Sequence, residues 1–82
     1  MEQSRISDKG IELALRILTA SGYLPKPADN PVETHIRLIA ACEKYFEASK
    51  NKGEARTEQE EQDVLLIYFF LLYLQDAVSA VN

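Results

Sequence analysis

The sequence has a single cysteine and a single histidine among its 82 residues. Cys42 therefore has no partner for a disulfide within the chain, and one unpaired thiol is typical of a reducing compartment. A structural zinc site is disfavoured because such sites combine several cysteines and histidines, and His35 is the only histidine. The first residues, MEQSRISDKG, are polar and of mixed charge and do not resemble a secretory signal. These features predict a cytoplasmic location.

Basic residues are absent from the last third of the chain. Residues 58–82 hold five acids and no base, whereas the whole chain has a formal net charge of -4. An acidic surface repels the phosphates of nucleic acids. The bases that precede this segment are interleaved with Glu43, Glu47 and Glu54, and they are Lys44, Lys50, Lys52 and Arg56. Nucleic acid is therefore not the predicted partner.

The basic group Lys44–Arg56 nevertheless leaves an alternative function open. The chain would then be a nucleic-acid-linked regulator that binds weakly through these bases. In a variant of this alternative, its acidic segments would make it an inhibitor of a DNA-binding protein.

No catalytic or cofactor signature is present in the sequence. The three glycines are not part of a phosphate-binding loop. His35 and Cys42 fall on one predicted helix, where about 10 Å of helical rise separates them, too far for a nucleophile and its base. The acids at 58–63 lack the spacing of a calcium loop and any Glu-x-x-His pair. The sequence therefore predicts a protein that is not an enzyme and holds no cofactor or metal.

Local start and stop signals predict three helices in one all-α domain over residues 1–82. Ser4 or Ser7 can cap the first helix, at about 7–21. Asn30 followed by proline begins the second, at about 31–51. Thr57 and Glu60 form a capping box at the start of the third, at about 58–79. Strand-like alternation of apolar and polar residues is missing. The fold class is thus a small three-helix bundle.

The second helix is expected to face the core with an apolar stripe at helical spacing. The members of this stripe are Val32, Ile36, Ile39, Cys42 or Glu43, and Phe46.

The third helix contains an unbroken apolar run, VLLIYFFLLYL, at residues 64–74. As a helix the run covers about 16 Å, whereas a membrane-spanning helix needs about 20 apolar residues. Acids flank it on both sides, and no base lies near to hold lipid headgroups. The run is therefore predicted to be the central helix of the bundle and not a membrane segment.

A helix that is apolar all round needs cover on every side, which two amphipathic helices do not provide. The uncovered side predicts a dimer, antiparallel because that arrangement separates the acidic helix starts, or contact with another protein. The predicted interface residues are Tyr68, Phe69, Leu72 and Tyr73. The predicted function is a small non-enzymatic interaction module, such as an adaptor, assembly chaperone or regulator.

Overall fold

A computed structural model describes residues 6–81, except for the side chains of residues 54 and 81. Helix α1 spans Asp8–Ala20, α2 spans Pro31–Lys52 and α3 spans Glu58–Val81, with a short 3-10 helix at Gly53–Ala55 between the last two. No strand occurs within residues 6–81. The predicted all-α fold of three helices is confirmed, with each helix boundary within two residues of its expected place.

Helix α1 begins and ends as its sequence signals indicate. Ser7 is its N-cap, and the Ser7 hydroxyl accepts a hydrogen bond from the Gly10 amide at 3.1 Å. Ser4, the other candidate cap, lies outside the described residues. At the far end the Tyr23 amide donates to the Leu18 carbonyl at 2.9 Å. Gly22 takes a φ of 79°, which glycine adopts without steric cost, so the chain turns sharply after α1.

Both remaining helices are capped by the predicted residues. The Asn30 carboxamide oxygen accepts from the Glu33 amide at 2.7 Å, with proline at the first helical position of α2. At α3 the Glu60 amide donates to the Thr57 hydroxyl at 3.1 Å, and the Thr57 amide donates to the Glu60 carboxylate at 2.9 Å. This reciprocal pair is a complete capping box.

The core is built from residues of all three helices. They are Ala14, Leu18, Ala41, Cys42, Ile67, Phe70 and Leu74. Three members of the predicted stripe on α2 face the core: Cys42 is buried, and Ile39 and Phe46 pack against it. The prediction is wrong for Ile36, which is 51% exposed, whereas Ala41 and Ser49 outside the stripe are buried. The buried face of α2 is therefore rotated slightly from the predicted stripe towards Ala41, a residue small enough to lie where two helices pack together.

Helix α3 lies against both α1 and α2, which contact each other less. The molecule measures 39 × 29 × 19 Å, and its shortest dimension is about two helix diameters. In such a thin arrangement no helix can be covered on all sides. The outer side of α3 is consequently exposed, as the surplus of apolar residues on this helix indicated.

Candidate protein-interaction surface

The outer side of α3 carries a row of apolar side chains. Leu65 is 55% exposed, Tyr68 is 48% exposed and Phe69 is 45% exposed, and Leu72 next to them is half-buried. We call these four residues the α3 strip. Helical spacing places them opposite Ile67, Phe70 and Leu74, which are buried in the core. Large exposed apolar patches are uncommon on soluble monomers and mark contact sites.

The structure brings together three of the four residues that the sequence suggested for an interface. Tyr68, Phe69 and Leu72 belong to the α3 strip. Tyr73 does not, because it is half-buried and packs against the core, where its ring is stacked with that of Phe70 at a centroid distance of 6.4 Å. Leu65 was missed, although its position one turn before Phe69 is a signal that it shares the same side.

An open groove runs beside the α3 strip, between α2 and α3. Its volume is about 730 Å³, and Phe46 of α2 forms one wall. The other wall belongs to α3 and consists of Val64, Leu65, Tyr68 and Leu71, with Glu58, Glu61 and Gln62 at one end. The groove shares Leu65 and Tyr68 with the strip, so the two form one continuous apolar surface.

Acidic side chains stand at both ends of the α3 strip. Glu61 lies one turn before Leu65, Asp76 lies one turn after Leu72, and both acids are exposed. Glu61 and Asp76 are equally distant from the midpoint between Tyr68 and Phe69. An antiparallel dimer centred on the strip would therefore place Glu61 of each copy against Asp76 of the other. The dimer stays a prediction, and this charge repulsion opposes it.

Two of the four bases in the Lys44–Arg56 group are already engaged with acids. Lys52 forms an ion pair with Glu60, and this contact, together with the hydrogen bond from the Thr57 amide, lowers the pKa of the Glu60 carboxyl. The Arg56 guanidinium lies 3.3 Å from the Glu61 carboxylate. A surface for phosphates needs free cations, so these pairs weigh against the nucleic-acid alternative.

Arg56 also fastens the turn between α2 and α3. Its guanidinium donates to the Ser49 hydroxyl at 3.1 Å and to the Gly53 carbonyl at 3.3 Å. These bonds join the end of α2, the short 3-10 helix and, through Glu61, the start of α3. The buried Ser49 hydroxyl obtains its hydrogen bond in this way.

A second cleft opens where α1 and α2 end and α3 begins. It has a volume of about 700 Å³ and is lined by aliphatic side chains such as Leu13 and Leu66 together with charged, amide and aromatic ones, among them Tyr45. Burial and the nearby Asp63 raise the pKa of the Tyr45 hydroxyl, while Gln59 donates to the Asp63 carboxylate at 3.0 Å. The bases Arg16, Lys52 and Arg56 line this cleft together with the acids Glu60 and Asp63, and Lys52 is paired with Glu60, so the cleft is mixed in charge.

The thiol of Cys42 is in the core and is fully buried. Burial, with a smaller effect of the Glu43 charge, raises its pKa to about 12. It is therefore protonated at neutral pH, which is unsuitable for a nucleophile.

The His35 ring lies 2.7 Å from the Pro31 carbonyl within α2. Within residues 6–81 no group of three or more His, Cys, Asp or Glu side chains is placed to hold a metal.

We expect Cys42 to react slowly with a thiol reagent in the native protein at mildly alkaline pH, and rapidly in urea. The folded thiol holds its proton more tightly than an unfolded thiol, whose pKa is 9.0. The protonated Cys42 thiol therefore makes its full contribution to the free energy of unfolding below pH 9, and this contribution is lost as the pH rises towards about 12. Urea unfolding at several pH values in this range measures the decline in the free energy of unfolding. Cys42→Ala is the control, and its free energy of unfolding should fall less between pH 9 and pH 12 than that of wild type. Identical pH dependence in the two proteins would contradict the raised pKa of Cys42.

Helix α3 also meets the length and composition of a membrane-spanning helix over Glu58–Ala80, the one such segment in the described part of the chain. Core helices of soluble proteins meet the same test, although only 17% of the most apolar 18-residue window of this segment is buried here. The uninterrupted apolar run is shorter, and Asp63 and Asp76 interrupt any longer span, which makes insertion costly.

The fold and surface define an all-α three-helix protein with an uncovered apolar side on its last helix. No family model, curated protein or solved structure matches the chain.

Proposed function

We propose that this protein is a small non-enzymatic interaction module that acts by binding a second polypeptide on α3. The bound polypeptide is either another copy, which gives a homodimer, or a different protein that the module recruits, chaperones or regulates. The observation that carries this proposal is the exposure of Leu65, Tyr68 and Phe69 on one side of a helix whose opposite side forms the core.

The type of residue supports contact with protein. Tyrosine and phenylalanine are enriched at the centres of protein interfaces, where their rings supply a large contact area at low conformational cost. Tyr68 and Phe69 are neighbours, with ring centroids 6.0 Å apart. The adjoining groove gives this aromatic pair a concave border, which is the shape that receives the apolar side of a helix.

The test compares wild type with Phe69→Asp, which places a charge at the centre of the α3 strip. Light scattering over a concentration series measures self-association, and a labelled amphipathic peptide measures binding of a foreign helix. Phe69→Asp should abolish whichever contact wild type makes, while its helical content by circular dichroism stays unchanged because Phe69 is not in the core.

Ala40→Asp is the matched control, since it adds the same charge at an exposed position of α2. It should leave both measurements unchanged. If Phe69→Asp alters neither the molar mass nor peptide binding, the proposed function is wrong.

A further inference from the structure

The charge at the two ends of the α3 strip indicates what kind of partner covers it. Glu61 and the neighbouring Glu58 stand at one end, and Asp76 stands at the other, all three of them exposed. The sequence of α3 contains neither lysine nor arginine. The strip is therefore an apolar centre between two acidic ends.

Contact between two copies whose α3 helices are nearly aligned over the strip brings these acids together in either orientation. An antiparallel pair faces Glu61 with Asp76 at both ends. A parallel pair faces Glu61 with Glu61 and Asp76 with Asp76. Like charges placed against each other across an interface disfavour that pairing, which is how natural interfaces reject wrong partners. An anionic membrane surface is disfavoured by the same acids.

The bases beside the strip do not cancel this pattern. Arg56 contacts Glu61 and compensates part of its charge, but Glu58 adds a further acid at the same end. On α2, Lys50 lies one turn after Phe46, and Glu43 lies one turn before it, so the two offset each other. Among the ion pairs of the described residues none contains Glu58 or Asp76, so each end of the strip offers an acid to a basic partner.

We propose that the α3 strip and its groove receive an α-helix of a different protein, one with an apolar face and with lysine or arginine near both ends of that face. This inference rests on the proposed function and names the class of partner. Glu61 and Asp76 are separated by about 22 Å along α3, so the two basic ends of the partner lie about four helical turns apart. Such a helix fills an apolar groove with side chains at i, i+3, i+4 and i+7.

Two synthetic helical peptides of about 22 residues, long enough to pass both acidic ends, test the proposal. They share one leucine and alanine face, and differ in carrying lysine or glutamate in the first and last turns. Fluorescence anisotropy measures their binding to the full chain at low and high salt. The lysine peptide should bind at least about tenfold more tightly than the glutamate peptide, and this preference should shrink as salt rises.

Two variants separate the apolar contact from the charge. Glu61→Gln with Asp76→Asn should lose most of the preference for the lysine peptide while it still folds. Phe69→Ser keeps every charge and should lose binding of the lysine peptide. If the lysine peptide binds Phe69→Ser as tightly as wild type, charge alone holds it and the proposal is wrong.

Other outcomes also decide between occupants. Equal affinity for the two peptides would overturn the basic-ended partner and leave the proposed function standing. A dimer that Phe69→Ser dissociates, and that excludes both peptides, would assign the strip to a second copy instead. Binding of wild type, but not Phe69→Ser, to phosphatidylcholine vesicles without binding of either peptide would overturn both proposals.

Discussion

Phe70→Ala is expected to destabilise the protein by about 3 to 5 kcal/mol, because it removes a ring from the centre of the core and leaves a cavity. Phe70 is 1% exposed and is among the largest of the fully buried side chains in the described part of the chain. Native domains have about 0.05 to 0.15 kcal/mol of stability per residue, so a chain of 82 residues has about 4 to 12 kcal/mol in total. The substitution is therefore expected to remove a large share of the free energy of unfolding and to lower the urea midpoint clearly.

The neighbouring Phe69 provides a matched control for this prediction. Phe69→Ala removes the same ring, but from a position that is 45% exposed and lies about 100° around the axis of α3 from Phe70. It should cost less than about 1 kcal/mol, as surface substitutions do. Urea unfolding followed by circular dichroism measures both variants. Equal losses of stability would show that the two rings are buried to the same extent, and would contradict the orientation of α3.

Leu18→Ala has the second largest expected effect, a loss of about 2 to 5 kcal/mol. Leu18 is fully buried and is the larger of the two α1 side chains in the core, beside Ala14. Its carbonyl accepts a hydrogen bond from the Tyr23 amide at the end of the helix. Because α1 packs chiefly on α3, loss of this side chain should release α1 and remove cover from α3 together. Urea unfolding measures the loss of stability.

Leu13→Ala is the control on the same helix, because Leu13 is 41% exposed, and it should cost less than about 1 kcal/mol. Hydrogen exchange then distinguishes two ways in which Leu18→Ala could act. Faster exchange in all three helices would show that α1 belongs to one cooperative unit. Faster exchange confined to α1, with α2 and α3 as protected as in wild type, would contradict that cooperativity.

Much of the fold could be predicted because its signals are local. Asn30 before Pro31 and the pair of Thr57 with Glu60 each set a helix start through bonds to residues within one turn, and the structure contains those bonds. Gly22 ended α1 for an equally local reason, its positive φ. Such signals depend only on residues that are close in the sequence, so they can be recognised without knowledge of the tertiary structure.

The rotation of the helices about their own axes could not be predicted in the same way. The run VLLIYFFLLYL is apolar in every direction, so its periodicity carries no information about which side faces the core. On α2, hydrophobicity correctly placed Cys42 in the core but also favoured Ile36, which is exposed, whereas the structure buries the small residue Ala41. Two neighbouring helices cannot cover α3 completely, so the existence of an uncovered side could be predicted. Its position could not, because it depends on how α1 and α2 pack against α3.

The bonds of Arg56 across the α2–α3 turn have a consequence for the entropy of binding. Ser49, Gly53 and Glu61 are tied to one guanidinium, so the ends of α2 and α3 hold a fixed spacing before any partner arrives. The distance between Phe46 and Val64, which lie on the two walls of the groove, depends on that spacing. A site that is already ordered loses little conformational freedom on association, and more of the contact energy appears as affinity.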